Sequence, residues 1–90
     1  MNNNRSQLAH TLNTIICNYN NNKLIERFYR KLNRLNKNIA IYITRDMFDE
    51  YKTINKYIYN CIINGEDDDT IINDCIYHLR KIMIALMLFE

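Results

Sequence analysis

The sequence predicts an all-α fold, a small four-helix bundle in a single domain. Ninety residues suit one domain, and 48% of them are hydrophobic, well above the range of disordered chains. The chain has one glycine and no proline, whereas a β-sandwich needs these residues for its frequent turns. Large apolar residues recur three and four positions apart along most of the chain, which is the period of a helix.

Two helices are predicted in the first part of the chain, at 6–20 and 22–37, after a flexible N-terminal segment at 1–5. The asparagine-rich stretch NYNNN separates them, and Asn22 is a suitable residue to begin the second. The apolar stripe of the first is Leu8, Leu12, Ile15, Ile16 and Tyr19. The stripe of the second is Leu24, Ile25, Phe28, Leu32 and Leu35.

The segment 39–43 has two interpretations. Ile39, Ile41 and Ile43 alternate with smaller or more polar residues, which is the period of a strand. So short an apolar run also fits a helix. The expected structure at 39–43 is an extended linker or a short strand, and a helix is the alternative.

Two further helices are predicted at 45–63 and 70–89. Thr44 or Asp46 can begin the first, and Asn64-Gly65 ends it with the residue type that most often closes a helix. Asp69 or Thr70 can cap the second. Both helices carry a full apolar stripe.

The helix at 70–89 also carries apolar residues on the side opposite its core stripe. A chain this small has little material to cover both sides of one helix. The sequence therefore predicts a homodimer or a protein partner bound through this helix; the alternative is a helix in the middle of the bundle, covered on all sides. The predicted interface residues are Tyr77, Ile82, Ile84, Leu88 and Phe89.

Charge is distributed unevenly along the chain. Residues 1–45 hold eight basic and one acidic side chain, a net charge of +7, whereas residues 46–90 hold four basic and nine acidic, a net charge of −5. Such asymmetry indicates an acidic protein partner or nucleic acid, although a solvated basic face is the simpler interpretation. The predicted contact residues are Arg27, Arg30, Lys31, Arg34 and Lys37.

Residues 38–88 resemble a ribbon-helix-helix DNA-binding domain in the pattern NIAIYITRDMFDEY followed by NGEDDDTIINDCIYHLRKIMIALM. The resemblance implies a dimeric transcriptional regulator with a strand at 38–44 and helices at 45–63 and 70–89. It further implies that Asn38, Ala40 and Tyr42 read bases in the major groove. The run Asp67 to Asp69 departs from the family, because carboxylates before the second helix repel phosphate.

No catalytic motif is present, and the sequence predicts no enzyme, no cofactor, no metal and no small-molecule substrate. Cys75 and His78 share a helix face, but the chain lacks a tight Cys-x-x-Cys pair. Three cysteines and no secretory leader indicate an intracellular protein, cytoplasmic or nuclear, and no apolar run is long enough to span a membrane. Fifteen Ile and fifteen Asn with no Val point to an AT-rich genome, such as that of a large DNA virus or a mobile element. The predicted function is a non-catalytic interaction module that self-associates and binds a macromolecular partner.

Overall fold

The computed structural model describes residues 4–65 and 69–88, and these residues form five helices and no strand. The helices are α1 (Asn4–Asn22), α2 (Ile25–Arg34), α3 (Asn36–Tyr42), α4 (Arg45–Asn64) and α5 (Asp69–Leu88). The all-α prediction is confirmed, and the four predicted helices correspond to α1, α2, α4 and α5.

The four longer helices form a bundle in which each packs against two others. α1 packs against α2 and α5, and α4 packs against the same two helices. Short connections join α1 to α2 and α4 to α5, so these pairs run antiparallel. α3 crosses the end of the bundle and contacts α1, α2 and α4.

The core consists of the apolar stripes that the sequence predicted, except Leu24, which is exposed. Burying a side chain such as Leu or Ile stabilises a fold by about 1.5–3 kcal/mol, so these stripes supply the main force that holds the helices together. Ile82 lies in this core and is fully buried, so its prediction as an interface residue is wrong. The fully buried aliphatic residues are Leu12, Ile16, Leu32, Ile39, Ile58, Ile72, Leu79, Ile82 and Leu86.

α4 begins and ends at the residues that the sequence indicated. The Thr44 hydroxyl oxygen accepts a hydrogen bond from the Met47 backbone N–H at 3.3 Å, which caps the first turn. Gly65 follows the last turn with φ of 66°, a left-handed conformation that glycine adopts without steric cost. Of the acidic run before α5, Asp67 and Asp68 lie outside the described residues.

The predicted helix at 22–37 is longer than the observed one, because α2 spans only Ile25–Arg34 and residues 36 and 37 already belong to α3. Asn22 ends α1 instead of beginning α2, and Lys23 takes a positive φ of 55° that turns the chain. α2 ends at Arg34, where Leu35 donates to the Leu32 carbonyl oxygen in a tighter turn before α3 begins.

The expectation of a strand at 39–43 is wrong, because these residues belong to α3 and the turn after it. Ile39 is fully buried, whereas Ile41 is 71% exposed. A strand would place both on the same side, but a helix separates residues two apart by about 200°. The ribbon-helix-helix resemblance requires a strand at this place, so the fold does not provide the element that would read DNA in that family.

α1 begins two residues inside the segment expected to be flexible. The Arg5 guanidinium donates to the Tyr42 carbonyl oxygen at 2.8 Å, and the Asn4 side-chain amide donates to the Tyr42 hydroxyl at 2.9 Å. These bonds tie the start of α1 to the end of α3. Residues 4 and 5 of the segment predicted to be flexible are therefore helical and bonded to Tyr42, and residues 1–3 lie outside the described part.

Candidate interaction surfaces

Large apolar side chains are exposed on the last two turns of α5. Ile84 is 50%, Met87 55% and Leu88 73% exposed. Their spacing of three and four residues places them side by side on the helix. The opposite side of α5 already fills the core, so burying these residues is not needed to complete the bundle.

The exposed side of α5 has the spacing of a coiled-coil seam. Tyr77, Lys81, Ile84 and Leu88 are separated by steps of four, three and four, the alternation of the two inward-facing positions of a heptad. We call these four residues and Met87 the outer face of α5. The Lys81 ammonium lies 4.5 Å from the centre of the Tyr77 ring, so the one charge of the seam rests on an aromatic face.

The structure exposes three of the five predicted interface residues, namely Tyr77, Ile84 and Leu88. Phe89 lies outside the described residues. Met87 was missed because the sequence analysis assigned α5 only two opposite stripes, and Met87 lies beside the second. Its position three residues after Ile84 is the feature that identifies it. The role of these residues in an interface stays a prediction.

A second surface is a shallow groove that runs along α1, between that helix and α2 and α3. It consists of three cavities of about 200, 320 and 350 Å³ that share lining residues from one to the next. α1 has 19 residues and is therefore about 28 Å long, which sets the length of the groove. We call it the α1 groove.

One bank of the α1 groove is basic. Arg27, Lys31 and Arg34 of α2 line it, and none of the three forms an ion pair with a described carboxylate. Their spacing of four and three residues places them on one face of the helix. Arg30 instead forms an ion pair of 3.6 Å with Glu26, and the exposed Lys37 does not line the groove. The structure thus brings together three of the five predicted basic residues.

The other bank of the α1 groove is polar and contains no acidic residue, lysine or arginine among its described lining residues. It includes Thr11, Thr14, Asn18 and Asn22, together with His10. The floor is apolar, formed mainly by Ile15 and Leu35. Charged residues alone do not reveal the polar bank, although the absence of any acidic residue from Asn4 to Asn22 is visible in the sequence.

The three residues that the ribbon-helix-helix resemblance assigned to base reading lie on α3 but do not share one surface. Asn38 and Tyr42 line one end of the α1 groove, whereas Ala40 is exposed and lines none of its cavities. The Tyr42 side chain is half-buried, with its hydroxyl bonded to Asn4 and the Arg5 guanidinium 5.7 Å from its ring centre. Tyr42 thus has a structural role in holding α1.

A further cavity, of about 660 Å³, is an open depression beside α5. Tyr57 and Tyr77 border it, and Cys75 contributes to its lining. Burial raises the pKa of the Cys75 thiol to about 11, with smaller contributions from Cys61 and Asp74. A thiol of this kind stays protonated near neutral pH, which makes it a poor nucleophile. Cys75 is therefore not an activated nucleophile.

Residues 4–65 and 69–88 contain no group of three side chains that is suited to hold a metal ion. Within the same ranges, every helix is too short or too polar to cross a lipid bilayer.

No protein-family model, no curated protein and no solved structure matches this chain. The functional conclusion therefore depends on the chemistry of the outer face of α5 and of the α1 groove.

Proposed function

We propose that this protein is a non-catalytic interaction module that self-associates through the outer face of α5 and binds a macromolecular partner. The observation that carries the proposal is the exposure of Ile84, Met87 and Leu88 on adjacent turns of one helix. Contiguous apolar surface of this kind usually marks an interaction site on a protein.

A second copy of the same chain is the occupant that best fits this face. Its heptad spacing suits packing against another helix of the same pattern, since each seam residue can enter a gap between residues of the facing helix. Full burial of Ile84, Met87 and Leu88 would contribute about 1.5–3 kcal/mol each. A two-fold pairing buries the face of both chains at once.

Lys81 favours an antiparallel arrangement of the two helices. In parallel pairing about this seam, the two Lys81 ammonium groups would face each other. In antiparallel pairing centred on Ile84, the two Lys81 residues are about 9 Å apart along the axis. Each then lies beside Met87 and Leu88 of the other chain, where its methylene groups cover apolar surface while the ammonium stays in water.

The mass of the protein in solution tests this proposal. We expect wild type to sediment as a dimer and Leu88→Glu to sediment as a monomer, because the dimer would have to bury the new carboxylate. Leu88 is exposed, so its replacement should leave helix content and the free energy of unfolding nearly unchanged. Analytical ultracentrifugation over a range of concentrations, with circular dichroism alongside, measures both.

Ile63→Glu is the matched control, since Ile63 is also an exposed aliphatic residue but lies on α4. It should remain a dimer. A wild type that is monomeric at every concentration would refute self-association, and loss of the dimer in both variants would place the contact elsewhere.

We also propose an intracellular location, cytoplasmic or nuclear. An odd number of cysteines supports it, because oxidising compartments favour cysteines that can pair. The inertness of the Cys75 thiol is consistent with a reduced, structural cysteine.

A further inference from the structure

We infer that the α1 groove is the site that binds the partner, and that the partner contributes an acidic peptide segment in extended conformation. The inference rests on the proposed function as a partner-binding module and specifies its surface and ligand class. It does not depend on the dimer, because the α1 groove and the outer face of α5 share no residue.

Electrostatics selects an anionic ligand. One bank is lined by Arg27, Lys31 and Arg34, none of which forms an ion pair with a described carboxylate. None of the described lining residues of the groove is acidic. A guanidinium presents paired N–H donors that match a carboxylate in a bidentate contact. The three cations thus offer one charge per helical turn to carboxylates along a ligand that follows the groove.

The opposite bank suits a peptide backbone. Asn18 on this bank and Asn38 at the end of the groove each present an amide with both donors and an acceptor, whereas the Asn22 side-chain oxygen already accepts from the Leu24 backbone N–H at 3.4 Å. A peptide in extended conformation has an unpaired N–H and an unpaired C=O at every residue, so both halves of the amide find partners. A phosphate backbone offers acceptors and almost no donors. It would therefore leave the side-chain oxygens of Asn18 and Asn38 without a donor.

The aromatic residues of the groove argue against nucleic acid. Tyr19 and Phe28 are buried and pack against each other with ring centres 4.7 Å apart, and Tyr42 is held by Asn4 and Arg5. None offers an open ring face for base stacking, which is the usual platform for a single strand. A duplex is too wide to enter a groove between two packed helices, whose axes lie about 8–10 Å apart.

The dimensions fit a short segment. At about 3.3 Å per residue, a groove of about 28 Å accommodates about eight residues of extended chain. Alternate side chains of such a segment point to opposite sides. One set can face the apolar floor at Ile15 and Leu35 while the other reaches the cations.

Fluorescence anisotropy with two labelled probes tests the inference. The first is an oligoglutamate peptide, and the second is an oligothymidylate with the same number of charges. We expect wild type to bind the peptide more tightly than the oligonucleotide. The double variant Arg27→Glu/Arg34→Glu should weaken peptide binding at least about tenfold, because it removes two charge-assisted contacts that together contribute about 1.4 kcal/mol or more.

Lys56→Glu/Arg80→Glu is the control, because it changes the net charge equally at two exposed residues that line no cavity of the groove. It should retain peptide binding within about twofold, because neither residue lines the groove and salt screens exposed charges. Asn18→Ala should weaken binding of the peptide more than binding of the oligonucleotide, because only the peptide uses both the donors and the acceptor of the amide.

Equal loss in both double variants, tighter binding of the oligonucleotide or no binding of the peptide would each overturn the inference. Repeating the titration on Leu88→Glu separates it from self-association, because the groove should still bind the peptide in a monomer. A wild type that is monomeric yet binds the peptide would refute only the dimer.

Discussion

At the scale of single residues, buried polar side chains form hydrogen bonds within and between the helices of the bundle. The Tyr51 hydroxyl donates to the Leu32 carbonyl oxygen, which links α4 to the last turn of α2. Asn55, one turn later, donates from its side-chain amide to the Tyr51 carbonyl oxygen at 2.9 Å. Its own side-chain oxygen has no hydrogen-bond partner among the described residues, so Asn55 lowers stability relative to an apolar side chain of similar shape.

The protein should lose stability as the pH rises above 9. Burial raises the pKa of Cys75 from 9.0 to about 11, so the unfolded chain releases this proton first. Stability from the neutral thiol is complete below pH 9 and is lost as the pH rises towards 11, by at most about 1.4 kcal/mol per pH unit. Burial likewise raises the pKa of Tyr51, which adds a loss of the same sign above pH 10.

Urea denaturation at several pH values measures this loss. Cys75→Ala lowers stability at neutral pH by creating a cavity, but its free energy of unfolding should fall less between pH 9 and 11. Cys17→Ala, at an exposed cysteine, should keep the wild-type slope. A slope unchanged in Cys75→Ala would contradict the assignment.

At the scale of elements, α3 shows where sequence patterns stop being informative. The alternation at 39–43 fits a strand, but the run is too short to distinguish the two periods. In the structure this segment is a helix. As a helix it places Leu35 and Ile39 one turn apart, and both side chains pack towards the core. Local hydrogen bonds support it, since the Ile39 N–H donates to the Leu35 carbonyl oxygen at 2.8 Å.

Substitutions at two isoleucines test the helical register of α3. Ile39→Ala should lower the free energy of unfolding by about 2–5 kcal/mol, because it leaves a cavity in the core. Ile41→Ala should change it by less than about 0.5 kcal/mol, because that side chain is largely in water. Chemical denaturation measures both. Equal losses in the two variants would indicate a strand with both side chains inward.

The other helix ends were predictable to different degrees. Thr44 and Gly65 carry local chemistry that identifies a start and a stop, and the structure places them there. Asn22 carries the same kind of chemistry but ends a helix, because the left-handed turn at Lys23 depends on how α2 packs against α1. The α1 groove could not be predicted, since it exists only where residues of two helices meet.

At the scale of the whole molecule, α5 has two different roles on its two sides. Ile82 and Ile84 are only two residues apart, and the sequence analysis assigned both to an interface. The structure buries the first completely and leaves the second half exposed. Hydrophobicity alone does not separate them, because the separation depends on which side of α5 faces α1 and α4.

The two sides should be separable by mutation. Ile82→Ala should lower the free energy of unfolding by about 2–5 kcal/mol and leave the remaining folded protein dimeric. Ile84→Glu should instead convert the dimer to a monomer and leave the free energy of unfolding nearly unchanged. Thermal denaturation combined with light scattering measures both quantities. A loss of stability in Ile84→Glu as large as in Ile82→Ala would show that α5 has no separate outer role.

The packing of α1 also affects the order in which the protein can fold during synthesis. α1 makes its most extensive contacts with α5, the helix farthest from it along the chain, and Leu8 and Ala9 form a buried cluster with Leu86. A ribosome completes α1 long before it completes α5. The part of the α1 apolar stripe that packs against α5 is therefore exposed to water or chaperones until α5 has been made. Closing so long a loop also slows folding, because the entropy of closure is lost before these contacts form. The nascent chain therefore becomes a native bundle only after α5 has left the exit tunnel.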